Sequence, residues 1–148
     1  EARDPLLAAL EDGEPRLRAL AARALGAYKR RDLVAELGHA AVNDPDPGVR
    51  RAAVAALDHT AESNAIPYVR RALQDADPGV RAAAFGGVAT YGLDDQIPTV
   101  IDALGSMDST LRSGARSALE RLLPEGQAGF GYDRDAWLRW HASGGNRR

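Results

Sequence analysis

The sequence contains no cysteine. That excludes disulfides, thiol nucleophiles and thiolate-held metals, although it selects no compartment. Aromatic residues are scarce, at 5% of a chain whose hydrophobic fraction is 45%. Alanine and leucine therefore supply most of the apolar surface, and closely packed helices are expected. No run approaches the roughly 20 consecutive apolar residues that span a bilayer. The mean hydropathy is −0.34, and no secretory leader pattern is visible. An excess of one charge is also missing: 19 basic and 21 acidic residues leave a net charge of −2. This disfavours a nucleic-acid binder, which carries a basic footprint. Lysine is almost absent, with Lys29 the single example, an arginine bias that fits a GC-rich genome. The first residue is Glu1 rather than methionine, which fits a chain excised from something longer. No membrane partner is expected, and a cytoplasmic setting is the default.

What is present is a period. The arginines of "LR" or "VR" pairs fall at Arg18, Arg50, Arg81 and Arg112. The preceding residues, Leu17, Val49, Val80 and Leu111, define offset 0. Offset 4 holds Ala21, Ala53, Ala84 and Ala115; offset 7 holds Ala24, Ala56, Gly87 and Ala118; offset 8 holds Leu25, Leu57, Val88 and Leu119. Offsets 0, 4, 7 and 8 lie on one helical face. A second apolar pattern precedes each marker, as in "AIPYVRRAL" (65–73) and "QIPTVIDAL" (96–104). Each unit is therefore helix, tight turn, helix, with pairs predicted at 4–11 and 15–28, 31–42 and 47–59, 64–74 and 78–91, and 95–105 and 109–123. These define units at about 4–28, 31–59, 64–91 and 95–123. The period ends there, leaving 1–123 as the repeat region and 124–148 as a C-terminal cap and tail.

Asp46-Pro47 and Asp77-Pro78 read as N-cap followed by the first helical residue, because the carboxylate accepts orphan backbone N–H groups and proline has none to waste. Asp4-Pro5 repeats the pattern, Glu14-Pro15 is a weaker version, and Asp108-Ser109 replaces the proline. "NDPDPGVRRAAVAAL" and "QDADPGVRAAAFGGV" resemble the second half of HEAT repeats, in the short form also named for phycobilisome lyases. The resemblance covers residues 4 to 123. It implies a bacterial, all-α, right-handed α-solenoid of about four HEAT-like helix pairs plus a short C-terminal capping helix, with second helices lining the concave side. It also implies an Asp–Arg ladder between neighbouring repeats, built from Asp12, Asp44 and Asp75 with Arg18, Arg50 and Arg81. Ser106 stands where the fourth unit needs an aspartate, so the ladder is expected to end there.

The recurring carboxylate pair also admits chemical readings. "DPDPG" opens like a calcium loop, yet the bidentate glutamate expected at loop position 12 is Ala55, and the prolines stiffen a loop that must wrap. Paired carboxylates serve glycosidases, but a pair that recurs with the repeat behaves as a joint. His39, His59 and His141 form no i, i+3 or i, i+4 pair and lack the His-Glu pairs of metal-dependent HEAT-like hydroxylases. Nucleotide and hydrolase motifs are absent. No enzyme activity, cofactor or metal is expected.

The expected function is a noncatalytic protein–protein interaction or scaffold module that binds a protein or peptide on the concave face, as a monomer. The alternatives are a chromophore lyase or its accessory subunit, suggested by the repeat type alone, and a HEAT-like nucleic-acid-binding protein. Offsets 2, 5, 6 and 9 of the second helices are predicted to face away from the core arc, and give as partner-binding candidates Arg51, Val54, Ala82, Phe85, Gly86 and Arg116. Phe85 reads either as a filler between adjacent second helices or as the anchor of a shallow apolar groove rimmed by Arg51 and Arg116. Gly86 reads as backbone exposed for a ligand, and Gly87 as close helix approach. In the tail, Asp133 caps a short helix carrying Trp137 and Trp140, which either seal the open end of the repeat region with Phe130 and Tyr132 or form an aromatic docking site. "SGGNRR" (143–148) is expected to be disordered.

Overall fold

A computed structural model of the chain describes residues 4–145. They form α1 (Pro5–Leu10), α2 (Pro15–Ala27), α3 (Val34–Asn43), α4 (Pro47–Thr60), α5 (Ile66–Ala72), α6 (Pro78–Thr90), α7 (Ile97–Ala103), α8 (Ser109–Glu120) and α9 (Arg134–Ala142), with no strand among the described residues. Short 3₁₀ turns at Arg31–Leu33, Ser63–Ala65 and Asp94–Gln96 lead into α3, α5 and α7. The first helices are accordingly shorter than the apolar pattern suggested.

Aspartate caps start the helices as expected. Leu6, Val49 and Val80 donate their backbone N–H groups to Asp4, Asp46 and Asp77 at 2.9, 3.1 and 3.0 Å. Asp108 accepts from both Thr110 and Leu111. Glu14 makes no side-chain cap bond. The second helices α2, α4 and α6 are followed by a left-handed residue at equivalent positions: Lys29, Ala61 and Gly92, with φ of 49°, 53° and 62°. This reversal precedes each 3₁₀ turn, and its recurrence was not visible in the residue types.

Each first helix packs on its own second helix, and the second helices stack in the order α2, α4, α6, α8. The core between the layers holds Leu25, Leu37, Leu57, Val80, Ile97, Ile101 and Leu119, all fully buried. Small residues set the spacing. A Cβ on Gly26 would lie 2.7 Å from Ala56 Cα in α4, and one on Gly87 would lie 2.6 Å from Val69 Cγ1 in α5. Gly87 thus marks a close helix approach.

The ladder joins successive pairs through a fixed geometry. Arg18 Nε and Nη2 donate to Asp44 at 2.8 and 2.9 Å, while its Nη1 donates to the Asp12 carbonyl at 2.8 Å. Arg50 does the same with Asp75 and the Asp44 carbonyl. Arg81 keeps only the carbonyl half, to Asp75 and Ala76, because Ser106 offers no carboxylate. Ser106 Oγ already accepts from the Asp108 N–H at 3.1 Å, as Asp75 accepts from Asp77. Ser106→Asp would keep that bond and present a carboxylate towards Arg81. It is expected to raise stability by about 1 kcal/mol in urea denaturation, and no gain in an otherwise folded variant would refute it.

Burial pushes the Asp44 carboxyl up, but bonds from Arg18 and the Asp46 N–H outweigh it and hold it below its usual value. The Arg50 guanidinium, aided by the Asp77 N–H, holds Asp75 down against burial. Both folded-state values lie below the roughly 3.9 of an unfolded aspartate. Their contribution is therefore complete above about pH 4 and is lost as pH falls through the folded values. Denaturation from pH 7 to pH 2 should show the acid loss, and Asp75→Asn should flatten it.

The tail closes the stack. Helix α9 packs on α7, and Arg134 bonds Asp102. Trp137 is fully buried, with edge-on contacts to Phe130 at 4.9 Å and Trp140 at 5.5 Å between ring centroids. The aromatic pair is thus a seal rather than a docking site, although Tyr132 stays exposed. Ser143 Oγ and the Gly145 N–H both donate to the Trp140 carbonyl, at 2.7 and 3.0 Å. Positions 146–148 of "SGGNRR" lie outside the described residues.

Candidate functional site

The stacked second helices create a trough of about 450 Å³. Its floor is Ala52 and Ala55 of α4, Gly79, Ala82 and Ala83 of α6, and Gly114 of α8. These residues are small because the helices meet here. A Cβ on Gly114 would come within 2.9 Å of Ala82 Cβ. Arg23 and Arg51 stand on one side, and Thr110, Ser113 and Ser117 on the other. The hollow continues towards the start of α2 past Arg16, Ala19 and Leu20.

Arg23 and Arg51 are exposed and have no ion pair or side-chain hydrogen bond among the described residues. Arg18, Arg30, Arg50, Arg70, Arg116 and Arg121, by contrast, are engaged with carboxylates. Arg51 lies along Gly79, with its Cδ 3.5 Å from where a Cβ would sit. The trough therefore combines an apolar floor with two uncommitted guanidinium groups and three hydroxyls. Guanidinium forks pair with carboxylates bidentately.

One turn further along α4, a polar bridge crosses three helix pairs. Arg121 donates to Asp58 at 3.0 Å, to Thr90 Oγ1 at 2.6 Å and to the Gly86 carbonyl at 3.3 Å, while the Thr90 hydroxyl donates to Asp58. Gly86 makes room for it, since a Cβ there would lie 2.9 Å from Asp58 Oδ2 and 3.0 Å from Arg121 Nη1.

The six residues singled out from the sequence separate accordingly. Arg51 and Ala82 line the trough. Gly86 sits under the Arg121 bridge and is not bare backbone awaiting a ligand. Val54 and Phe85 are 1% and 3% exposed and do not face away from the core. Offset 5 is buried in Ala22, Val54 and Phe85, whose helices each have a following second helix. It is exposed only in Arg116, on α8, where the stack of second helices ends. Arg116 is moreover committed to Glu120 at 3.0 Å and lies 5.4 Å above the Tyr132 ring. The rim of Arg51 and Arg116 around Phe85 therefore does not exist. Arg23, Ser113 and Ser117 were readable at offsets 2 and 6. Ala83 and Gly114, at offset 3, were not, because a single helix does not reveal how close its neighbour comes.

His39 and His59 are exposed; the His59 ring bonds the Ala55 carbonyl at 2.7 Å. No group of three or more histidine or carboxylate side chains suited to a metal ion occurs among the described residues. No helix among them is long and apolar enough to cross a membrane.

The family described as HEAT repeats matches residues 3–67 and, in an overlapping second match, 37–120. No curated protein matches the chain. HEAT repeats commonly mediate protein–protein interaction. The matched residues take in the ladder, the stacked second helices and the trough, and this chain belongs to the HEAT-repeat family.

Proposed function

We propose that the chain is a noncatalytic interaction module that holds an acidic, extended protein segment in the trough between Arg23 and Ser117. In this reading the chain is a monomer, and its four helix pairs, of the short type named for phycobilisome lyases, form a right-handed solenoid with the trough on its concave side. The observation that carries the proposal is the pair of uncommitted guanidinium groups, Arg23 and Arg51, above a floor of alanine and glycine. An apolar floor accepts a peptide backbone and small side chains, and the arginines select carboxylates. A net charge of −2 sets this local arrangement apart from the broad basic surface that nucleic acids require.

The test is selection from a display library of unstructured peptides. Aspartate- and glutamate-bearing peptides are expected to be enriched. Arg23→Glu combined with Arg51→Glu should weaken them at least ~10-fold, an interface loss of ordinary size for arginine anchors. The circular dichroism spectrum should not change, because both side chains are exposed. Peptides indifferent to the double change would reject the site, and a salt-sensitive DNA gel shift of comparable strength would reassign it.

A further inference from the structure

Asp12 is built as the receiving half of a ladder rung. Its Oδ1 accepts the Glu14 N–H at 2.8 Å, as Asp44 accepts the Asp46 N–H and Asp75 the Asp77 N–H, both at 2.9 Å. On Asp44 and Asp75 the same carboxylates receive Nε and Nη2 of the arginine from the preceding helix pair. Asp12 has the same local turn and, among the described residues, no arginine upon it. The apolar surface beside it is equally unpaired. Leu17, at offset 0, is 46% exposed, whereas its counterparts Val49 and Val80 are fully buried. Leu20, at offset 3, is 54% exposed, while Ala52 at that offset is buried. Offset 3 is where one second helix meets offset 2 of the helix before it, as Gly114 meets Ala82. The far end of the stack is different, because α9 packs on the last first helix, α7, and brings the Trp137 cluster there.

We infer that the face formed by Asp12, Leu17 and Leu20 docks one further helix pair of the same class, stacked ahead of α1 and α2 and offering an arginine to the Asp12 carboxylate. The surface is continuous with the repeat-to-repeat interface already described, and its charge is complementary to that arginine. Because Leu20 is larger than the alanine or glycine of the internal interfaces, the incoming second helix must place a small residue opposite it. A second copy of the chain in head-to-tail order is not the occupant, since the Trp137 seal blocks the end it would present.

The α5–α6 pair meets both requirements. Arg81 has Nε and Nη2 without a carboxylate, and Ala82 is small and stands at offset 2. The test fuses a copy of residues 62–93 ahead of the intact chain. In the fusion, Asp12→Asn is expected to lower Tm by about 2–4 °C, the shift a lost rung gives in a chain of this size. In the unfused chain the same change should leave Tm within about 1 °C, because the asparagine oxygen still accepts the Glu14 N–H. The added pair should resist limited proteolysis. Equal effects of Asp12→Asn in both chains, or an added pair that is cleaved rapidly, would overturn the inference. So would concentration-dependent dimerisation of the unfused chain that Leu20→Arg abolishes, since a second copy would then occupy the face.

Discussion

Phe85→Ala is expected to lower the stability of the chain by about 3–5 kcal/mol, the usual cost of truncating a buried phenylalanine. The side chain is 3% exposed and belongs to the continuous core. It is the largest member of the buried offset-5 set, and it lies in α6, which contacts second helices on both sides. Total stabilities of 5–15 kcal/mol are typical, so the variant would lose a large share of its margin. Guanidinium denaturation followed by circular dichroism measures this directly. Arg116→Ala, at the same offset but on the outer helix, should cost less than about 1 kcal/mol because its ion pair is exposed. Similar small effects at both positions would mean that Phe85 is not a core residue.

Trp137→Ala should produce a loss of the same size, about 3–5 kcal/mol, but distributed differently. Trp137 is fully buried, contacts Phe130 and Trp140 edge-on, and donates its indole N–H to the Gly131 carbonyl at 3.1 Å. It holds the segment that covers α7 and α8. In a stack where each pair contacts only its neighbours, removing the seal exposes the last pair first. Hydrogen exchange should therefore accelerate in Ile97–Ala103 and Ser109–Glu120 well before it does in Pro15–Ala27. Trp137→Phe, which keeps an aromatic edge but loses the N–H donor, should cost less. Uniform acceleration along the chain would contradict a local seal.

Much of this architecture could be read from the residues because the same physics acts on each unit. Asp46-Pro47 and Asp77-Pro78 identify helix starts without reference to any neighbour, and offsets 0, 4, 7 and 8 identify a face that is buried in α4, α6 and α8. The partner-binding face was harder to read. A helical wheel assigns one buried arc per helix, but α4 and α6 are stacked on both sides, so their buried arc is wider and takes in Val54 and Phe85. The clue was present in the composition of offset 5, apolar at Ala22, Val54 and Phe85 and charged only at Arg116, where the stack of second helices ends. The Arg121 bridge to Asp58 spans 63 residues and follows no offset rule. The role of Gly86 could not be inferred without it.

That bridge changes how the molecule should come apart. A stack of repeats approximates a one-dimensional lattice with nearest-neighbour couplings, in which a defect at one site is felt only by the next. Arg121 adds a next-nearest-neighbour coupling, from the end of the last second helix across α6 to Asp58 in α4, at the opposite helix ends from the place where Ser106 leaves Arg81 without a rung. Opening of the final pair is thereby correlated with the state of the second pair, so the C-terminal half should melt as one block rather than fray pair by pair.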